Sequence, residues 1–522
     1  MTKEYMEFLL SELSTGFYVK QVMVIVGLFL LGVLLLQICS IKMEQKWLYL
    51  LAFPMGLALW CIAGFLILTL GIPFSAVSVF GVIITGMAIL FWRNYSKLRT
   101  ERIEEKQTGR KKTFIFAICI VLIAACVATS GLLSLSVSND TMYYYLYYPE
   151  MLMRKGGYTV ALDTFLSDVG PMSAIIGTLP SMFGFDQIYG IHQFFNLNFI
   201  IIFLAAVFEK TCTQLSKKTS VMIAVIGTII LVTSTPYLVI SKWVLANAYV
   251  MYYSFILLYL ADKYHLRNAD ADVQTNRFSI MFWILIGMIS MLRMEGCVVA
   301  CFIIICMSTL RYSNKELIYS VMVPTLLFPS LYYIRYFVLL RMSPLNGFLT
   351  WQKAVLILFA MFLLLMYLVF VRGKRLKGLQ SRMRLLLLLA MFVGNGILFL
   401  TAPSHYMVVI KAFFENISGR QGWGYTVELM VLCYAVVCVL SCVLKGTLAG
   451  HRDVSYEDLI FIGYLFVLFA VSYARGGGLR YGIGDSGNRV MMQMVPFAWY
   501  AIISKAICLV KEFNNVDYSK CR

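Results

Sequence analysis

The sequence predicts an all-α protein that crosses a membrane many times, and three observations carry that prediction. Apolar residues fill 61% of its 522 positions and charged residues only 13%, against about 25% charged in soluble domains. Apolar runs of about 18 residues or more recur along the whole chain, long enough for a helix to cross the hydrocarbon core. Lys and Arg, 44 against 26 acids, sit largely in short loops between those runs. A net charge of +18 distributed this way is a topology signal facing an anionic leaflet and not a nucleic-acid surface.

Taken in order, apolar spans are expected near 20–41, 47–70, 73–92, 113–136, 188–208, 219–240, 243–261, 278–292, 296–310, 317–340, 354–371, 385–402, 425–444, 456–474 and 490–510. The short pair 278–292 and 296–310 meets at "RMEGC", so the bundle is expected to hold about 13–15 transmembrane helices. The loops 93–112 and 372–384 carry 8 and 6 Lys and Arg and are expected on the cytoplasmic side. One alternation from these two loops gathers 30 of the 44 basic residues there. It puts the N-terminus outside and the C-terminus in the cytoplasm of a multi-pass cell-membrane protein. No cleavable signal peptide is expected, since Glu4, Glu7 and Glu12 precede the first apolar run. Residues 4–13 read instead as an amphipathic helix on the outer interface. The cysteines lie mostly inside apolar runs, among them Cys119, Cys301 and Cys433, without zinc spacing, and read as small apolar side chains.

The longest outer segment is 137–187. It opens with "NDTMYYYLYYPEMLMRKGG" and continues into "VGPMSAIIGTLPSMFGF", which is apolar but too short to span and is broken by Pro171 and Pro180. This second stretch reads as interfacial helix. Asp140 follows directly on the fourth span. As a bland feature it is a loop acid or a helix N-cap; as a functional one it is a general base at the membrane surface.

Charges elsewhere gather on the same side. Arg293 and Glu295 lie where the two short spans meet, a place where unpaired charge costs about 2.5–3.5 kcal/mol at mid-membrane; they are read as a mutual ion pair or as working groups. Arg335 stands near the outer end of its span, where an arginine can snorkel. The last outer loop, "YARGGGLRYGIGDSGNRVMM", interleaves Arg475, Arg480 and Arg489 with six glycines. Glycine lets backbone amides approach an anion, and arginine grips phosphate with two parallel hydrogen bonds. Arg489 opens the final helix, where free amides and the helix dipole favour an anion. No Walker motif is present. The loop 403–424 adds His405, Lys411, Arg420 and Trp423; such aromatic rings stack on sugars or mark the interface belt.

Asp140 with the tyrosine-rich stretch, Pro149 and Gly156–Gly157 resembles the first outer loop of the GT-C superfamily of membrane glycosyltransferases. The segment 170–208, the turn "RMEGC" and "GNRVMMQMVPFAW" are similar to further loose motifs of that superfamily, with long unmatched stretches between them. The resemblance implies a GT-C-like helical bundle in 113–522, with 1–112 as an extension of three spans. It implies transfer of a sugar from a polyprenyl-phosphate donor to a glycan, lipid or wall polymer at the outer face, with inversion. Asp140 would be the general base, and Arg489, Arg480, Arg475, Arg335 and Arg293 candidate phosphate ligands. Tyr144, Tyr148, His405 and Trp423 would be candidate sugar contacts. The partners implied are the lipid-linked sugar, its acceptor and membrane lipids, with no nucleic acid. No cofactor follows; a divalent metal, Mg or Mn, is left open. The chain departs from the pattern in three places. Asn139 stands where a second acid is frequent. The next outer loop, "VISKW", has no acid, leaving Asp163 or Asp168 as substitutes or as plain loop and cap acids. Three spans precede the usual first one. A surface polysaccharide polymerase or ligase, and a lipid-linked saccharide transporter, are the other classes open at this point.

Overall fold

The computed structural model describes residues 15–39, 43–101, 145, 147–157, 170–184, 188–241, 243–267, 275–293, 295–310, 312–341, 350–372, 382–417, 425–447, 454–475 and 486–520. Every regular element among them is a helix, and ten are long and apolar enough to cross a membrane. The protein is an all-α polytopic membrane protein.

The first spans are α1 (Thr15–Ile38), α2 (Gln45–Leu70) and α3 (Ala76–Glu101). α1 and α2 cross with backbones almost touching. A Cβ added at Gly32 would lie 1.7 Å from the Ala52 carbonyl oxygen, and one at Gly56 would lie 1.8 Å from that of Leu28. Small residues four apart, Ala52 and Gly56, provide the close face, the usual device where lipid supplies no hydrophobic drive between helices. Pro54 removes one backbone donor inside α2. The carbonyl it orphans, that of Leu50, accepts instead from the Asn198 side chain at 3.3 Å. α2 ends in a Schellman turn: Gly71 has φ +74°, its N–H donates to Leu68, and the Ile72 N–H donates to Ile67.

The segment expected as the outer loop 137–187 contributes α4 (Tyr148–Lys155), α5 (Pro171–Gly177) and α6 (Leu179–Phe183). The stretch expected as interfacial helix is helical, but it is divided into two short helices at Thr178, and the first is buried in the bundle and does not lie along the interface. α5 is buried along its whole length, packed against α2. The run expected at 113–136 lies outside the described residues.

Next come α7 (Tyr189–Cys212), α8 (Lys217–Thr233), α9 (Thr235–Ile240), α10 (Ala246–Arg267), α11 (Thr275–Leu292) and α12 (Gly296–Ser308). Of these only α7 holds a full candidate span; α11 and α12 hold the short apolar stretches Ile280–Leu292 and Gly296–Ser308. α13 (Asn314–Leu339) and α14 (Trp351–Val371) contain π-helical turns at Ile318–Met322, Ile334–Leu339 and Tyr367–Val371. α15 (Met383–Thr401), α16 (Pro403–Ile417), α17 (Thr426–Thr447), α18 (Tyr456–Arg475) and α19 (Ser486–Lys520) complete the chain.

The core is unusually aromatic. Phe195, Phe199, Tyr249, Tyr252, Tyr253 and Phe255 interlock between α7 and α10. α2 and α19 are largely buried spans, whereas α3, α14, α15 and α17 expose most of their surface. An apolar exposed face of this kind is what a lipid-facing helix needs.

Candidate functional site

The bundle has two polar ends. At one, the turn between α11 and α12 is made by Arg293, Glu295 and Gly296. Gly296 cannot be replaced there: its added Cβ would lie 2.2 Å from the Ile289 carbonyl oxygen. Glu295 precedes α12, where its charge is favoured by the helix dipole. Its Oε1 lies 2.5 Å from Arg293 Nε, and the pair is nearly buried.

This turn is tied to three other helices. Arg293 Nη1 donates to Asn247 Oδ1 at the start of α10. Gln493 Nε2, from α19, donates to the same oxygen at 3.2 Å. Tyr464 of α18 donates its hydroxyl to Gln493 Oε1 at 2.7 Å. Tyr464 and Gln493 are fully buried and Asn247 nearly so. Unpaired polar groups at such a depth would cost several kcal/mol each (about 2–7). The network satisfies them by converging on one point of the bundle.

The long loop closes on the same point. Gly170 has φ +97°, and its added Cβ would lie 2.6 Å from the Leu292 carbonyl and 2.7 Å from Arg293 Cα. Only glycine lets the chain entering α5 press so closely on the Arg293 turn. Tyr145, from the aromatic stretch, accepts the Ala246 N–H at 2.6 Å and so caps the N-terminus of α10, one residue before Asn247. Pro149 packs against Gly177 of α5. The tyrosine cluster thus has a structural share: Tyr145 and Tyr148 are buried, while Tyr147 is exposed.

The expected site residues fall into three groups. Arg293 is in the network. Arg335 and His405 are elsewhere: Arg335 lies beside Gly71 at the end of α2, and His405 on α16 pairs with the Tyr473 carbonyl at 3.1 Å and stacks edge-on with its ring. Arg475 closes α18, and Arg489 lies in the first turn of α19, four residues before Gln493. Asp140, Tyr144, Asp163, Asp168, Arg480 and Trp423 lie outside the described residues. Among the described residues, no three His, Cys, Asp or Glu side chains gather as a metal site.

Sequence reasoning missed Asn247, Tyr464 and Gln493. Gln493 could have been found as the one polar residue in "MMQMV", an amide in an apolar run. It also missed the opposite end of the bundle, where Glu209 at the end of α7 accepts from four side chains. These are Trp47 Nε1 at 2.7 Å, Tyr259 at 2.6 Å, Lys263 at 2.6 Å and Lys46 at 2.5 Å. Beside it Lys210 pairs with Glu457 at 2.5 Å, and Lys505 with Asp458 at 2.8 Å. These ties bind α2, α7, α10, α18 and α19 together at one end.

No known family, curated protein or solved structure matches the chain.

Proposed function

We propose that the chain is a membrane glycosyltransferase that takes a sugar from a polyprenyl-phosphate donor and passes it to a glycan, lipid or wall-polymer hydroxyl at the outer face. The observation that carries this reading is the convergence at Arg293. The loop that contains Asp140 meets, through Gly170, a buried polar network that also holds the first turns of α19, where Arg489 stands.

In the proposed step Asp140 takes the proton of the acceptor hydroxyl as that oxygen attacks the anomeric carbon. The bond from that carbon to the lipid-phosphate oxygen breaks, and the phosphate leaves with the electron pair. The anomeric centre inverts. Arg489, with Arg475 and Arg480, neutralises the charge gathering on the leaving phosphate. This step suits a donor whose tail lies in the membrane and whose sugar lies at its surface.

The test is profiling of lipid-linked and surface glycans in cells with the gene, without it, and with Asp140→Asn in its place. Loss of one glycan species on deletion, restored by the wild-type gene and not by the Asn variant, is expected. A general base contributes about 10²–10⁴-fold, whereas an N-cap acid replaced by Asn keeps its capping oxygen. Full restoration by Asp140→Asn removes the proposed base.

A further inference from the structure

Arg335 stands apart from the Arg293 network. It stands in the π-helical turn Ile334–Leu339 that ends α13, where the Leu340 N–H donates to the Arg335 carbonyl five residues back at 2.9 Å. The turn ends at Arg341, which takes a left-handed backbone with φ 50°. Such turns cost backbone energy and concentrate at functional sites.

The guanidinium lies directly on the Schellman turn of α2. A Cβ at Gly71 would be 3.2 Å from Nη1 and 3.6 Å from Nη2. Gly71 therefore serves twice, supplying the left-handed φ and leaving room for the arginine. A cation at a helix C-terminus is favoured by the dipole, but that accounts for the position only. Among the described residues no carboxylate pairs with Arg335, and its Nε is buried without an acceptor. A half-buried guanidinium with donors to spare is chemically suited to an anion.

The surroundings decide what kind of anion. Leu70 and Ile72 flank Gly71, and Ile334 and Val338 flank Arg335; all four are exposed. A planar cation set in an apron of exposed aliphatic side chains, at the end of a membrane span, matches a phosphate carried on acyl or prenyl chains. We propose that Arg335 and the Gly71 turn bind the phosphate of an anionic membrane lipid, at a site separate from the Arg293 network. The site stands whether or not the chain transfers a sugar.

The experiment uses the full chain purified in detergent and incubated with mixed micelles of phosphatidylglycerol and phosphatidylcholine. Lipid retained after washing is then measured by mass spectrometry. The wild type is expected to enrich phosphatidylglycerol. Arg335→Gln should lower that retention about tenfold or more, as loss of hydrogen bonds to a charged group implies. Arg335→Lys should retain part of it, keeping charge without the fork. Gly71→Ala, which crowds the guanidinium, should weaken retention even where Arg335 is intact. Arg335→Lys and Gly71→Ala keep the proposal testable should Arg335→Gln unfold. Undecaprenyl phosphate as competitor separates the sources: displacement of phosphatidylglycerol assigns the site to prenyl phosphates, and its failure assigns it to bulk headgroups. Inorganic phosphate at millimolar concentration should displace neither. Equal retention of the two phospholipids by the wild type, wild-type retention by Arg335→Gln, or stripping by inorganic phosphate overturns the proposal. Asp140→Asn leaves retention unchanged, so failure here is separable from failure of the transfer reaction.

Discussion

Glu209 Oε2 accepts from Lys263 Nζ at 2.6 Å, across 54 residues of sequence. The lysine is only 12% exposed and also lies over the Trp47 ring at 4.5 Å. Two helices, α7 and α10, are thereby fastened at the end opposite the Arg293 network. Neutralising one member of this pair weakens the fastening, at less than the about 3–5 kcal/mol of an isolated buried pair, because Lys46 stays 2.5 Å from Glu209 and Lys263 lies 3.7 Å from Glu44. Glu209→Gln should therefore lower the thermal midpoint of the purified protein clearly, and Lys263→Met likewise. The double variant should lose less than the sum of the two, because removing the second partner removes the stranded charge. Thermal unfolding in detergent of all four proteins checks this. Additive losses would mean that the two side chains do not work as a pair.

The crossing of α1 and α2 makes a second, sterically defined expectation. At Gly32 and Gly56 the atoms in the way of a Cβ belong to the backbone, so no side chain can swing aside. Gly56→Val should cost at least the upper end of the about 1–3 kcal/mol typical of overpacking. Gly27 on α1 has nothing within 4 Å of an added Cβ. There Gly27→Ala should be neutral or stabilising, since alanine favours helix by up to about 1 kcal/mol over glycine. Thermal midpoints measured side by side decide it, and equal behaviour of the two variants contradicts the crossing.

Legibility in the sequence followed the range of the interaction. Spans were legible because hydropathy is local: α7, α14, α15, α18 and α19 fall where their apolar runs lie. The turn at Arg293 was legible because charge, acid and glycine fall within four residues. Its partners were not, since Asn247 and Gln493 are separated by 246 residues and nothing local links them. Glu209 reads in sequence as a loop-edge acid next to Lys210; only the packing of α2 and α10 brings Trp47, Tyr259 and Lys263 to it. The tyrosine cluster shows a further limit. The resemblance implies Tyr148 as a sugar contact, but burial sends Tyr148 inward and leaves Tyr147 outside. Phe195 and Tyr252, with ring centroids 4.1 Å apart, show the same sorting in the core. Aromatic content alone cannot distinguish the two uses.

Topology gives a third expectation. The alternation set by the basic loops puts Ser138 outside and Thr108 inside. With exposed Cys212 and Cys442 replaced first, a cysteine at Ser138 should react with a membrane-impermeant maleimide on intact cells. One at Thr108 should react only after permeabilisation. The opposite pattern would place Asp140 away from an outer-face donor and remove the proposed reaction with it.

Arg489 carries the last expectation. It lies in the first turn of α19, one turn ahead of Gln493, which is fully buried and held by both Asn247 and Tyr464. That anchoring fixes the start of the helix. A helix N-terminus carries about half a positive charge and free N–H groups, so an arginine there opposes the local field. An anion between them satisfies both. Arg489→Ala should reduce transfer to near zero, and Arg489→Lys should keep part of it, since the charge remains and the two-pronged geometry does not. Both should weaken polyprenyl-phosphate binding to the protein in nanodiscs. Gln493→Leu supplies the contrast. It leaves the Tyr464 hydroxyl and one Asn247 contact unmet, at about 1–3 kcal/mol of stability, so it should lower the thermal midpoint as well as binding. Arg489→Ala should lower binding alone. If Arg489→Ala binds the lipid phosphate as tightly as the wild type, the phosphate is held by other groups, and the part assigned to the start of α19 is wrong.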